Sequence, residues 1–261
     1  ADFFEPEVAA LYNGKTGGKA NKNDSIKNEL NKRENGAGRD LLLKIVNKHI
    51  AANPICRSAY AEGEVEKFSG EGGAQYVILG AGLDTFAFRK TKYINHNMVF
   101  EVDHPLTQAD KQRRMSSSGL KIKENHKFVA VDFTKDDLGE KLLASGFAKE
   151  KPSFFSWLGV TYYLGEEDIK KTLKTISELC SVGSRLVFDY PDENYLTSEE
   201  PRVKKTAMMA AASGEAMKQG YSVSKITELL TDCSFKVVEN LTPDDIQSRI
   251  IGKKGTDFKA F

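Results

Sequence analysis

The chain has 261 residues, enough for a large core and for one catalytic domain with additions, and only a soft argument for two domains. Its 38 Lys and Arg against 37 Asp and Glu leave a formal net charge of +1, so no global field recruits nucleic acid, and no apolar run approaches membrane-spanning length. Three distant cysteines (Cys56, Cys180, Cys233) and four histidines without ligand spacing (His49, His96, His104, His126) predict no metal site, and with no secretory hydrophobic region at the N-terminus they fit a reduced, cytoplasmic setting.

Residues 1–67 read as a helical N-terminal extension or lid, and residues 68–261 as the catalytic domain. Residues 13–23 are rich in Gly, Lys and Asn without apolar periodicity, which predicts a mobile stretch serving either as a gate or as a plain flexible leader. Lys15, Thr16 and Lys19 are candidate contacts there for an anionic group, or simply solubilising residues. Leu41, Leu42, Leu43, Ile45, Val46 and Ile50 give an amphipathic helix whose apolar side is expected to pack on the sheet domain.

The run from Gln75 to Arg89, QYVILGAGLDTFAFR, predicts a buried strand, a tight turn and a helix start. Gly80 and Gly82, around Ala81, let the turn adopt positive φ and let a ligand lie directly on the main chain; the alternative is a glycine turn that serves packing alone. A dinucleotide would want a third glycine where Thr85 stands. The carboxylate of Asp84 repels phosphates and suits a ligand bearing a sulfonium and an ammonium group, which points to S-adenosylmethionine.

A second strand, residues 98–103, ends in Glu101 and Asp103, two apart on one face, and either acid is a candidate for the ribose hydroxyls of a nucleoside; the other is equally read as a cap for the helix after Pro105. A third, residues 127–133, ends in Asp132 and Phe133, placed to meet the base unless Asp132 caps the helix expected over 136–146. The fourth run, residues 152–164, is aromatic and apolar throughout and is expected to deliver Thr161, Tyr162 and Tyr163 to a catalytic rim. Residues 184–189 read as the fifth strand, followed by Tyr190. A helical insertion over 201–219 carries Met208, Met209 and Met217, as a pliable pocket wall or as ordinary core. Residues 222–231 read as a capped helix, 235–239 as a late strand, and 257–261 as a final antiparallel strand.

Five ordered blocks, VILGAGLDTFAFR, FEVDHP, VAVDF, SWLGVTYYL with Glu166-Glu167, and SRLVFDY, resemble the class I S-adenosylmethionine-dependent methyltransferases of the leucine carboxyl methyltransferase type, over roughly residues 54–190. The resemblance implies an α/β, Rossmann-like fold: a seven-stranded, mostly parallel sheet with flanking helices, a helical N-terminal extension and a helical insertion at about 195–220, after the fifth strand. It further implies that Arg57 grips the methionine carboxylate, that Gly80, Ala81 and Gly82 with Asp84 contact the methionine part and ribose, that Asp103 with Glu101 holds the ribose, and that Asp132 with Phe133 holds the adenine. Relatives often carry Glu where Leu158 stands, so the contact at that cofactor-binding position differs here.

Methyl transfer from a sulfonium needs in-line alignment and exclusion of water. Tyr162, Tyr163, Asp189 and Tyr190 are the candidate catalytic residues facing the acceptor. With no Cys-His, Ser-His or His-Asp pair at telling spacing, an acceptor already ionised is favoured. The expected reaction is O-methylation of a carboxylate or hydroxyl on a small molecule or a protein C-terminus, with S-adenosylhomocysteine as product, and neither nucleic acid nor membrane as partner. Two rivals are a nicotinamide-dependent dehydrogenase on a related sheet and a catalytically silent cofactor-binding protein.

Overall fold

The computed structural model describes residues 51–72, 74–89, 97–212 and 216–252. The chain divides into two compact units, one holding Arg57–Asn240 and the other holding, among the described residues, 51–56 and 241–252. The elements in order are α1 (Ala52–Gly70), β1 (Gln75–Leu79), α2 (Phe86–Arg89), β2 (Met98–Asp103), α3 (Pro105–Ser117), β3 (His126–Ala130), α4 (Leu138–Ala144), β4 (Ser153–Trp157), a 3-10 turn (Thr161–Tyr163), α5 (Glu166–Leu179), β5 (Arg185–Phe188), a second 3-10 turn (Tyr195–Thr197), α6 (Pro201–Ala212), α7 (Val223–Asp232), α8 (Pro243–Ile246) and a π-helical turn (Gln247–Ile251).

The strands form one parallel sheet in the order β3-β2-β1-β4-β5. Alternation along the strands sorts side chains to two faces. Val77, Leu79, Phe100, Val102, Phe155 and Trp157 pack with the buried residues of α4, α5 and α7. Tyr76, Ile78, Val99 and Phe154 pack with Val65 and Phe68 of α1 and with Phe86 and Ala87 of α2. Covered on both faces, β1 and β4 are buried at every position, which is why they read as continuous apolar runs. In the second unit Ala52, Cys56 and Ile251 are buried together. No helix among the described residues is long and apolar enough to cross a membrane.

The sequence predicts seven strands, and the described residues hold five. Residues 235–239 form no strand: most of their side chains are exposed, Val238 at 92%, so the segment buries no face that would reward pairing. Residues 257–261 lie outside the described residues, as do the amphipathic run at 41–50 and Lys15, Thr16 and Lys19. The aromatic run at 152–164 is strand only to Trp157; Gly159, at φ +72, turns the chain, and Thr161, Tyr162 and Tyr163 wind into a 3-10 turn. The insertion is helical to Ala212, and residues 216–220 are irregular. Met208 is 72% exposed and so forms no part of the core. α7 is capped as expected, the Ser222 hydroxyl accepting from the Lys225 N–H.

Candidate cofactor-binding and acceptor site

The strand order reverses between β1 and β4, and in such sheets ligands sit at the carboxyl ends beside that switch. Register aligns Leu79 with Val102 on one side and with Trp157 on the other, Asp103 with Ala130 and Trp157 with Phe188. Gly80, Asp103, Asp132, Leu158, Gly159 and Asp189 therefore all emerge along a single rim.

Gly80 and Gly82 adopt φ of +68 and +48, the left-handed region that favours glycine. Their surroundings differ. A Cβ on Gly80 would stand 2.2 Å from Val160 Cγ2, whereas one on Gly82 would meet nothing nearer than the Gly80 carbonyl oxygen at 4.0 Å. The Gly80 and Ala81 N–H groups donate to the Val102 carbonyl at 2.8 and 3.0 Å, and the Asp84 N–H donates to the Ala81 carbonyl at 2.7 Å. Ala81 thus commits both main-chain groups within the turn and packs its methyl into the core. Gly80→Ala is expected to lower folding stability by about 1–3 kcal/mol through backbone strain and overpacking, as read by chemical denaturation. Gly82→Val is expected to carry backbone strain of its own, since φ +48 suits no β-branched residue, and to weaken cofactor binding by about tenfold or more, because its side chain fills the open space above the turn. Normal affinity in a titration of that variant would place the ligand elsewhere.

The acids take distinct places. The Gly82 N–H donates to Asp103 Oδ2, and the His104 N–H donates to Oδ1 at 2.6 Å. Burial raises the Asp103 pKa, while these two bonds and Lys111 pull it back. Each oxygen keeps a lone pair for a further donor. Asp84 Oδ1 accepts from the Phe86 N–H at 2.7 Å, at the start of α2; burial raises its pKa, and Lys111 is the largest opposing influence. Asp132 Oδ1 accepts from the Thr134 N–H and hydroxyl at 3.0 and 2.7 Å, and Oδ2 from Lys135 Nζ at 2.8 Å; these bonds, Lys135 first, lower its pKa. Asp137, not Asp132, caps α4. Phe133 packs half-buried against the main core.

Glu101 differs from the reading that pairs it with Asp103. Its side chain is 1% exposed and ion-paired to Lys111, itself 1% exposed, so of the two carboxylates Asp103 alone is presented at the rim. The two acids share a face, but β2 carries Glu101 two residues inward from the edge, under α3. Nor does Asp103 cap α3: the cap is His104, whose Nδ1 accepts from the Leu106 N–H at 3.3 Å.

At the other end of the rim, Asp189 gathers three donors. Arg57 Nη1 reaches Oδ2 at 2.7 Å, the Tyr162 hydroxyl donates to Oδ2 at 2.9 Å, and the Gly159 N–H donates to Oδ1 at 2.7 Å. The Thr161 hydroxyl donates to the Asp189 carbonyl at 2.5 Å. The guanidinium lies so close over Gly159 that a Cβ there would stand 2.3 Å from Nη2. Burial works against the Arg57 charge, but Asp189 and Tyr162 outweigh it and raise its pKa. Burial, then Asp189, pushes the Tyr162 phenol far above its ordinary value, so it stays protonated as a donor. Tyr163 and Tyr195 flank its ring at centroid distances of 6.3 and 6.4 Å. Burial, then Tyr163, pushes Tyr195 up to about 12. Tyr190 donates to Asn240 Oδ1 at 2.8 Å and packs on Phe188. Leu158 is half-buried beside this node and supplies no polar atom from its side chain.

The rim thus pairs a cation-bearing end, Arg57 with Asp189, with a carboxylate of spare acceptor capacity at Asp103, joined by the open backbone at Gly82. The sequence reading did not single out Gly159, Val160, Lys111 or Tyr195. Gly159 alone carried a local signal, a glycine directly after a buried strand; the others enter through contacts distant in sequence. No group of His, Cys, Asp or Glu among the described residues could hold a metal ion.

A family model described as leucine carboxyl methyltransferase matches residues 14–177. A Bacillus subtilis protein, YktD, provisionally named an S-adenosyl-L-methionine-dependent methyltransferase, is 38% identical over 223 residues, 85% of this chain and 73% of that protein. A Mycobacteroides abscessus protein with the same provisional name is 34% identical over 145 residues, 56% of this chain and 47% of that protein, so the chain's match spans about half the length of that relative. Among solved structures, a protein from Thermobifida fusca, also provisionally a methyltransferase, superposes with a TM-score of 0.53 at 18% identity, covering 91% of this chain and 87% of that one. That likeness supports the α/β fold.

Proposed function

This chain belongs to the leucine carboxyl methyltransferase family, and from that premise we propose that it is an S-adenosylmethionine-dependent methyltransferase whose acceptor is an oxygen nucleophile, foremost a carboxylate. The observation that carries the cofactor reading is the cradle at Gly82, open above the main chain and flanked by Asp103 with acceptor capacity to spare. Asp103 would receive the ribose hydroxyls, Asp132 and Phe133 would border the adenine, Arg57 would take the methionine carboxylate, and Asp84 would lend negative potential toward the sulfonium. When bound, S-adenosylmethionine supplies an already activated methyl group.

The chain's own residues then have to orient the acceptor. Asp189 is committed to three donors, Tyr162 is held protonated, and Tyr190 donates to Asn240. Each of these groups is already engaged by a partner within the chain, which suits an oxygen that arrives charged. Tyr162, Tyr163 and Tyr195 would form an aromatic wall positioning the acceptor's body.

The rate on a carboxylate acceptor is therefore expected to stay flat from about pH 7.5 to about pH 9, because the raised Tyr162 and Tyr195 phenols remain protonated throughout and the acceptor is already ionised. A tenfold rise per pH unit would instead mark an acceptor or base that must lose a proton. The direct experiment is transfer of isotopically labelled methyl to a panel of carboxylic acids, peptides with free C-termini, and phenols. Labelling of carboxylates supports the reading, labelling of phenols alone moves the acceptor class, and cofactor binding with no transfer to any member favours a silent binding protein.

A further inference from the structure

The ion pair at the Arg57 end of the rim offers two opposite charges to a ligand, of which the cofactor contacts above use only the cation. Arg57 of α1 reaches Asp189 Oδ2 through Nη1 at 2.7 Å, and the two side chains are 28% and 20% exposed, so both partners stay open to the rim. The pair adjoins the glycine turn. Trp157 and Phe188 lie in register at the ends of β4 and β5, the guanidinium lies over Gly159, and the next residue, Val160, presses on Gly80.

Asp189 is held as an oriented acceptor. The Gly159 N–H donates to Oδ1 at 2.7 Å, and the Tyr162 hydroxyl shares Oδ2 with Arg57 at 2.9 Å, while the Thr161 hydroxyl fixes the main chain at the Asp189 carbonyl. An ionised carboxylate offers about four lone-pair sites, so three donors leave one, on Oδ1. A guanidinium carries five N–H donors in a planar fork, more than the contact through Nη1 uses. An ion pair that solvent reaches adds only modestly to stability. This one instead brings a fixed cation and a fixed anion, each with capacity to spare, to one place beside an open backbone turn. Leu158, half-buried next to Gly159, contributes no polar side-chain atom, so the negative charge at this node comes from Asp189.

We propose that Arg57 and Asp189 act together as a receptor for an α-amino acid zwitterion, Asp189 Oδ1 taking the ammonium group of S-adenosylmethionine while Arg57 takes its carboxylate. This rests on the reading of the rim as the S-adenosylmethionine site and adds to it a direct ligand contact for Asp189. The two charges of an amino acid sit on one carbon, so a cation and an anion in contact on the protein match them in the opposite sense. A ligand with one of the two charges leaves one member of the pair without a counterpart, and a ligand with neither gains nothing from the node.

Four adenosine thioethers isolate the contact. S-adenosylhomocysteine carries both charges, the aminopropyl thioether the ammonium alone, the carboxypropyl thioether the carboxylate alone, and 5′-methylthioadenosine neither. Each is titrated by calorimetry into wild type and D189N, with folding checked by melting. D189N keeps the shape and one acceptor oxygen and loses the charge. It is expected to bind S-adenosylhomocysteine and the aminopropyl thioether about tenfold or more weakly than wild type does, and the other two ligands within about threefold. Loss confined to the two carboxylate-bearing ligands would mean that Asp189 acts only by steadying Arg57, and overturns the proposal. So does an equal loss on all four, or no loss on any. Should D189N fail to fold, wild type decides: the aminopropyl thioether is expected to bind about tenfold more tightly than 5′-methylthioadenosine, and equal affinity overturns the proposal. Wild type that binds none of the four overturns the cofactor reading beneath it, a result distinct from wild type that binds all four alike.

Discussion

Asp103→Ala is expected to weaken S-adenosylhomocysteine binding by about 2–3 kcal/mol, the scale for removing hydrogen bonds to a charged group, or roughly 30- to 100-fold. Asp103 receives the Gly82 and His104 N–H groups as well as any ligand, so the alanine removes a ribose acceptor and also frees the glycine turn that the ligand rests on. Asp103→Asn separates the two effects, since it keeps size and one acceptor oxygen. It should retain more stability than the alanine variant while still losing most of the affinity. Calorimetric titration of both variants checks this, and a wild-type binding constant in Asp103→Ala would remove the carboxylate from the site.

Arg57→Ala is expected to cost at least as much, about 1.5–3 kcal/mol of cofactor affinity for each charge-assisted hydrogen bond lost. It also strips Asp189 of its cation, leaving Tyr162 and Gly159 as that carboxylate's donors, so some loss of melting temperature accompanies the loss of binding. Ligand choice resolves the two. 5′-Methylthioadenosine keeps the nucleoside and lacks the amino-acid carboxylate. Arg57→Ala should bind it nearly as well as wild type does, whereas Asp103→Ala should bind neither ligand well. Equal losses on both ligands in Arg57→Ala would mean that Arg57 acts through the fold of the rim alone.

Much of the architecture was legible because it rests on short-range pattern. The runs at Gln75–Leu79 and Ser153–Trp157 read as buried strands since both faces are covered, and the glycines at 80 and 82 announced positive φ that the turn does adopt. What was not legible was set by partners distant in sequence. Glu101 and Asp103 look equivalent as a pair of acids two residues apart, yet Lys111 and His126 enclose one while the other meets the turn. Residues 235–239 have the apolar content of a strand, but Phe235, Val237 and Val238 give no clean alternation, and strand formation there depends on neighbours that a local pattern does not report. Likewise the pairing of Arg57 with Asp189 joins residues 132 apart, a closure that no local window contains.

Everything proposed for the rim depends on an adenosine-bearing methyl donor resting on Gly82 between Asp103 and Arg57. The most direct measurement is calorimetric titration of S-adenosylhomocysteine into the folded chain, with NADH titrated in parallel. The account predicts saturable uptake of one S-adenosylhomocysteine per chain, sharply reduced in Asp103→Ala, and no uptake of NADH. Folded protein that takes up no S-adenosylhomocysteine, or that binds NADH in its place, would contradict it.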